Sequence, residues 1–85
     1  MTRENIENTL FNLRRVVTHV KVKGLTVNRF IMGVELMEEI NAKSPYVLNK
    51  NNGLRLFGTP IIIDYGKPYT LEVVTAHKVE VEGVG

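Results

Sequence analysis

The sequence predicts an α+β domain in which two helices pack on one face of a small, mainly antiparallel sheet. Three observations carry this prediction. Apolar residues recur at helical spacing over residues 2–20, the strongest β signal lies in residues 53–66, and residues 69–82 alternate as a strand does. The 85 residues suffice for one domain, 1–85, and leave no room for a second.

The composition narrows how such a small domain can be stabilised. The chain has no cysteine, so neither a disulfide framework nor a thiolate metal site can reinforce the core. A chain of this length buries only about 60–65% of its unfolded surface, and we therefore expect self-association or docking on a partner. No apolar run is long enough to span a bilayer, and the N-terminus has no signal-peptide pattern, so no membrane association is expected.

Charge is distributed unevenly along the chain. Residues 1–29 hold six basic and two acidic residues, a balance of +4, whereas residues 30–85 have a balance of −2. This asymmetry favours an anionic partner at the first helix, or head-to-tail contact between protomers. The candidate anion contacts are Arg14, Arg15, Lys21 and Lys23. A solvated basic face is the preferred interpretation, since aromatic residues do not alternate with the basic ones as they do in single-strand binders.

The first predicted helix follows Thr2, a typical N-cap residue, and its acidic first turn suits the helix dipole. Gly24 is a plausible residue just past its end. Residues 16–23 are rich in β-branched side chains and could instead begin a strand, but the apolar stripe favours helix through about Val20. The stripe consists of Ile6, Leu10, Leu13, Val17 and Val20.

A short strand and a second helix are predicted next. Thr26–Met32 is typical of a strand, and Gly33 then opens a helix from Val34 to about Lys43. Ser44 ends this helix because the following proline disfavours helical backbone at the residue before it.

Two strands and a loop are predicted in the middle of the chain. Residues 46–48 and 54–57 flank the Asn- and Gly-rich residues 49–53, which is a hairpin signal. The β-branched run Ile61–Ile63 suits a strand covered on both faces. Gly58 and Pro60 predict a kink or bulge that joins two strand segments.

The alternation over residues 69–82 is long for one strand of a small domain. The segment either breaks near Thr75–His77, or its far half extends beyond the domain and pairs elsewhere. An unpaired long edge readily accepts another strand, which makes this segment a predicted contact surface. The predicted interface residues are Tyr65, Tyr69, Leu71, Val73, Val79 and Val81.

Residues suited to catalysis are few. A nucleophile–base–orienter set would have to use Ser44, the sole serine, Asp64, the sole aspartate, and either His19 or His77. Their positions are typical of caps, turns and a half-buried strand histidine, and no second ligand accompanies either histidine at a metal-binding spacing. We therefore predict a non-enzymatic protein without cofactor or metal.

Residues 29–65 resemble a segment of tailed-phage major capsid proteins and are similar to small uncharacterised phage and prophage proteins. The resemblance rests on residues 29–33, a short helix, a Gly-containing hairpin, and residues 56–64, which end in Asp64. It covers under half of the chain, and Met32–Glu35 lacks the proline usual at this helix start. The chain is also far too short for a complete capsid subunit.

The resemblance implies a small phage or prophage protein that works by protein–protein contact, as a virion-associated or self-assembling structural component. The expected partners are further copies of the chain or a phage or host protein, in the virion or in the cytoplasm of an infected or lysogenic bacterium. Two alternatives stay open. One is an inhibitor of a host enzyme or defence system, acting on a protein or on an anionic small-molecule signal. The other is a weak nucleic-acid binder that uses the basic first helix.

Overall fold

The computed structural model describes residues 2–51, 53–76 and 78–81, the last without the side chains of 78–80. The elements are α1 (Arg3–Val22), β1 (Arg29–Gly33), α2 (Val34–Lys43), a 3-10 turn (Pro45–Val47), β2 (Leu48–Asn49), β3 (Arg55–Leu56), β4 (Thr59–Asp64), β5 (Leu71–Val74) and β6 (Lys78–Glu80). The sheet has the strand order β2-β3-β4-β1-β5-β6, and only the central pair β1–β4 is parallel. The predicted class, two helices on a mainly antiparallel sheet, is confirmed.

Both ends of α1 are capped by local hydrogen bonds. The Thr2 hydroxyl accepts from the Asn5 N–H at 3.1 Å, as an N-cap residue does. At the other end Gly24 has a φ of 78°. Its N–H donates to the Lys21 carbonyl, and the Leu25 N–H donates to that of Val20, which is the Schellman arrangement. Residues 16–22 are therefore helical, so the strand alternative for this segment is wrong.

Backbone hydrogen bonds hold residues 68–70 against the junction between β1 and α2. β1 starts at Arg29 and not at Thr26 as predicted, whereas α2 has the predicted bounds. The Gly33 N–H donates to the Thr70 carbonyl at 2.8 Å, and the Leu36 N–H donates to the Pro68 carbonyl at 2.9 Å. A Cβ on Gly33 would overlap the backbone of residues 67–68. Only glycine fits where these chain segments meet.

One hydrophobic core lies between the helices and the inner face of the sheet, the face that carries Phe30 and Met32. The predicted α1 stripe is confirmed, since four of its members are buried and Val17 packs partly buried against the core. No helix among the described elements is both long and apolar enough to cross a membrane. The core residues are Ile6, Leu10, Leu13, Phe30, Met32, Leu36, Ile40, Leu56, Ile61, Leu71, Val73 and Val81.

The chain reverses between β3 and β4, where the sequence predicted a kink or bulge. Leu56 pairs with Thr59, and the two residues between them form a tight hairpin turn. Phe57 and Gly58 have φ values of 51° and 78°, and positive φ at both central positions defines a type I′ turn. The preceding hairpin around residues 49–53 is present but short.

The prediction that both faces of the isoleucine run are covered is wrong. Ile61 is 7% exposed and faces the helices, whereas Ile62 is 51% exposed on the other side of the sheet. β4 lies at the centre of the sheet beside β1, so this exposed isoleucine occupies a central position.

The long alternating segment breaks at residues 75–76, as one of the two alternatives predicted. β5 and β6 form an antiparallel hairpin in which Val73 is paired with Val79. β5 is also paired with β1, so the predicted long unpaired edge is absent from the described residues. The edges are instead the short strands β2 and β6.

Candidate functional site

The strongest candidate for a functional site is a surface formed by α1, the β3–β4 turn and the 3-10 turn. We define this first-helix surface by Phe11, Arg14, Arg15, Tyr46 and Phe57. Its three aromatic side chains are 61%, 73% and 38% exposed, in the order Phe11, Tyr46, Phe57. Aromatic residues and arginine are the side chains most enriched where proteins bind one another.

The helical period of α1 explains why this surface exists. The core stripe turns one side of the helix toward the sheet, and a second row recurs at +4, +3 and +4 on the side away from it. This row contains Phe11, Arg15, Thr18 and Val22, and all four are exposed. Together with Arg14 and His19 they line an open groove.

Phe57 reaches the same surface from the sheet. Its φ of 51° lies in the left-handed region, which costs an ordinary side chain about 1–2 kcal/mol and which asparagine and glycine adopt more readily. The Arg14 guanidinium carbon lies 4.3 Å from the centre of the Phe57 ring, within cation–π range. A strained backbone that holds an exposed aromatic ring against arginine suggests a role in binding.

Two of the predicted anion contacts lie together beside this ring. Arg14 and Lys21, seven residues apart, line one groove of about 260 Å³ with Phe57 and Thr59. The Arg15 guanidinium lies 5.9 Å from the Phe11 ring centre. Lys23 is the C-cap residue of α1 and lines neither groove. The fold therefore places aromatic rings beside basic groups, although the sequence does not alternate them.

The predicted interface residues on β5 and beyond are mostly core residues. Leu71, Val73 and Val81 are buried, so the prediction that they form a contact surface is corrected. They lie on the inner face because the segment folds back as a hairpin under the helices. The side chain of Val79 lies outside the described residues. Tyr65, at 80% exposed, is available for contact.

Tyr69 is half-buried and packs against the core. Burial raises the pKa of its phenol above the ordinary value of 10.0, and the carboxylates of Glu35 and Glu39 raise it further. Glu39 is half-buried on α2, where its carboxylate accepts a hydrogen bond from Lys43 at 2.7 Å. That bond lowers the pKa of Glu39.

The residues weighed for catalysis lie on separate elements. His19 is in α1, Ser44 is buried at the end of α2, and Asp64 ends β4. Asp64 Oδ1 accepts a hydrogen bond from the Gly66 N–H at 2.9 Å, which fixes a turn. His77 lies outside the described residues. In the part of the chain that the structure describes, no group of three His, Cys, Asp or Glu residues could hold a metal ion.

A second candidate is the outer sheet face, which we define by Arg29, Ile31, Pro60, Ile62 and Glu72. The strand register places these side chains on the side opposite the core. No helix packs there within the described ranges, since the core residues of both helices join a single cluster on the inner face. An apolar centre on a sheet face without a helix over it is typical of an interaction surface.

Comparison of the chain with protein-family models, curated proteins and solved structures finds no match. Sequence reasoning missed Phe57 because its ring meets Arg14 only after folding. It also missed Phe11, although the spacing of four residues to Arg15 places both on one side of the predicted helix. One sequence signal was available: Phe57 precedes Gly58 where a tight hairpin turn would favour asparagine.

Proposed function

We propose that this protein is a non-enzymatic binding module that acts by protein–protein contact through the first-helix surface. The observation that carries the proposal is Phe57, held in the left-handed region with its ring exposed against Arg14. Phe11, Arg15 and Tyr46 extend this surface with the side chains that dominate binding energy at protein interfaces.

We further propose that the module is a small phage or prophage protein, and that it serves as a virion-associated or self-assembling structural component. This part rests on the resemblance of residues 29–65 to phage capsid segments. The location of two contact surfaces on opposite sides of the domain supports it, because an assembling subunit must meet more than one neighbour.

A capture experiment tests the first-helix surface. The wild-type protein and the double variant Phe11→Ser, Arg15→Glu are each immobilised through a tag. Each is then exposed to lysate of infected bacteria and, separately, to the untagged wild-type chain. We expect specific capture that the double variant loses. Lys23→Glu is the matched control, since it removes a basic residue of α1 outside the surface. Equal capture by the wild type and the double variant would contradict the proposal.

The captured molecule separates two forms of the contact function. Recovery of phage structural proteins or of the chain itself supports the structural component. Recovery of one host protein would instead favour the inhibitor of a host enzyme or defence system.

Single-stranded nucleic acid is a second candidate ligand, favoured by the proximity of Phe11 and Phe57 to Arg14, Arg15 and Lys21. Exposed rings can stack with bases while cations hold phosphates. A gel-shift titration with a single-stranded oligonucleotide tests it. Binding that weakens steeply with salt supports this candidate, and no shift at low salt removes it.

A further inference from the structure

The outer sheet face carries its charges in two adjacent rows across the strands. One row contains Arg55 and Pro60, which are paired, and Arg29, which is level with Pro60 because β1 and β4 run parallel in register. The next row contains Ile62, Ile31 and Glu72, which the strand register aligns. Neighbouring rows on one face lie two residues apart, about 7 Å.

The first row holds the basic residues Arg29 and Arg55, and the second holds the acidic Glu72 beside two isoleucines. Arg29 is exposed, and Arg55 and Glu72 are half-buried. Asp64 lies at the end of β4 on the acidic side, two residues beyond Ile62. The face is therefore divided by charge along the strand direction, and Pro60, Ile31 and Ile62 lie within the two rows beside the charged residues.

We infer that the outer sheet face binds a second copy of this chain in a twofold dimer. A twofold axis that runs across the strands, between the two rows, reverses the strand direction of one protomer relative to the other. The basic row of each protomer then faces the acidic row of its partner, as an isologous interface requires. Stacked sheets lie about 10 Å apart, a gap that arginine and glutamate side chains can bridge.

The apolar centre fits the same geometry. In this dimer Ile62 of one protomer lies over Pro60 of the other, and Ile31 lies over Arg29, which is then one strand away from Glu72 of the first protomer. Burial of these side chains removes the 51% exposure of Ile62 from water. A partner of a single charge sign would match only one of the two rows, and the divided charge therefore favours a second copy over a uniformly acidic or basic protein.

The size of the face sets the expected affinity. The six strands hold 22 residues in all, and about 3.4 Å by 4.8 Å per residue gives roughly 350 Å² per protomer, hence roughly 700 Å² in total, below the size of a standard specific interface. We therefore expect a weak, reversible dimer with a dissociation constant on the order of a hundred micromolar. The inference deepens the proposed contact function by naming one partner, and it uses a different surface.

Sedimentation equilibrium of the whole chain tests the dimer. The wild type is expected to pass from monomer to dimer with rising concentration, and Ile62→Lys is expected to raise the dissociation constant at least about tenfold. Glu38→Lys, a control on the exposed side of α2, is expected to leave it unchanged. Thermal unfolding followed by circular dichroism verifies that each variant is folded.

A charge exchange tests the twofold arrangement. Arg29→Glu and Glu72→Arg each place like charges together twice in the homodimer, so each is expected to weaken it about tenfold or more. In an equimolar mixture both contacts of the heterodimer again join opposite charges. Association in the mixture is therefore expected to return to within about threefold of the wild type.

Three results would overturn the inference: a wild-type monomer throughout the high-micromolar range, an unchanged dimer in Ile62→Lys, or no recovery in the mixture. Its failure is distinguishable from failure of the proposed function. If the chain stays monomeric but still captures a protein through Phe11 and Arg15, only the dimer is removed. If the dimer persists while that capture is absent, only the first-helix proposal is removed.

Discussion

Ile61 and Ile62 are adjacent residues of β4 with identical side chains and opposite environments. Ile61 lies at 7% exposure under the two helices, whereas Ile62 lies at 51% exposure on the outer sheet face. The chain supplies cover for the first through the core residues of α1 and α2. Within the described residues, it supplies no helix for the second.

A hydrophobic residue in a small sheet therefore contributes either to the stability of the single chain or to contact with another surface. Burial of Ile61 contributes to the free energy of unfolding of the single chain, because its apolar surface leaves water on folding. Ile62 contributes little until another surface covers it. A β-branched run therefore indicates how much apolar surface needs cover, but not whether the same chain provides it.

Shortening both side chains tests most directly whether Ile61 and Ile62 contribute differently to the free energy of unfolding. Ile61→Ala is expected to lower the free energy of unfolding by about 2–5 kcal/mol, since it removes buried methyl groups and leaves a cavity. Ile62→Ala is expected to cost about 1 kcal/mol or less in the dilute monomer. Urea unfolding at low protein concentration measures both, and equal losses would contradict the assignment of the two faces.

A substitution of Gly33 tests the close approach between this residue and the backbone of residues 67–68. Gly33→Ala is expected to destabilise the protein by roughly 1–3 kcal/mol, toward the upper value because the new methyl group meets rigid backbone of residues 67–68. Gly66→Ala is the matched control, because its Cβ would lie 3.4 Å from Asp64 Oδ1, an ordinary contact. A similar loss in both variants would argue against crowding at Gly33.

Substitutions of Phe57 in the β3–β4 turn separate its effect on stability from its effect on binding. Phe57→Asn is expected to be more stable than Phe57→Ala by about 1 kcal/mol, because asparagine tolerates the left-handed backbone of a type I′ turn. Both variants are expected to lose first-helix capture, since neither has the ring. Thermal unfolding measures the first effect and the capture experiment the second; full capture by Phe57→Asn would show that the ring is dispensable.

The smallest expected effect concerns pH and Tyr69. The pKa of its phenol is higher in the folded protein than the ordinary value of 10.0, so the folded state holds this proton more tightly than the unfolded chain. The contribution is fully present below pH 10 and is lost as pH rises through the folded-state pKa. Tyr69→Phe is expected to lose less stability than the wild type in unfolding measurements above pH 10. Equal losses of stability in the variant and the wild type above pH 10 would contradict the raised pKa of Tyr69.

The fold class and most element positions could be predicted because they follow from local rules. The apolar stripe of α1, the bounds of α2 and the break in residues 69–82 are visible in residue periodicity and in the residues that end helices and strands. The turn at Phe57 could not be predicted in this way, because phenylalanine is a poor residue for positive φ, and Gly58 with Pro60 indicated a kink or bulge.

The prediction that Leu71 and Val73 form a contact surface was wrong because of the sheet topology. Leu71 and Val73 alternate as a half-exposed edge strand would, but β5 is paired on both sides and its inner face meets the helices. Alternation identifies the two faces of a strand without fixing its position in the sheet. The first-helix surface likewise depends on Phe57 meeting Arg14 across the fold, which no local spacing encodes.

The position of β1 between β4 and β5 has a consequence for synthesis on the ribosome. Both strands that pair with β1 follow it in the chain, so Phe30 and Met32 emerge before any sheet exists to receive them. Until residues 59–74 have also emerged, these side chains lack their native strand partners, and the central pairing forms late. A translational pause before these residues have left the ribosome would prolong that vulnerable interval.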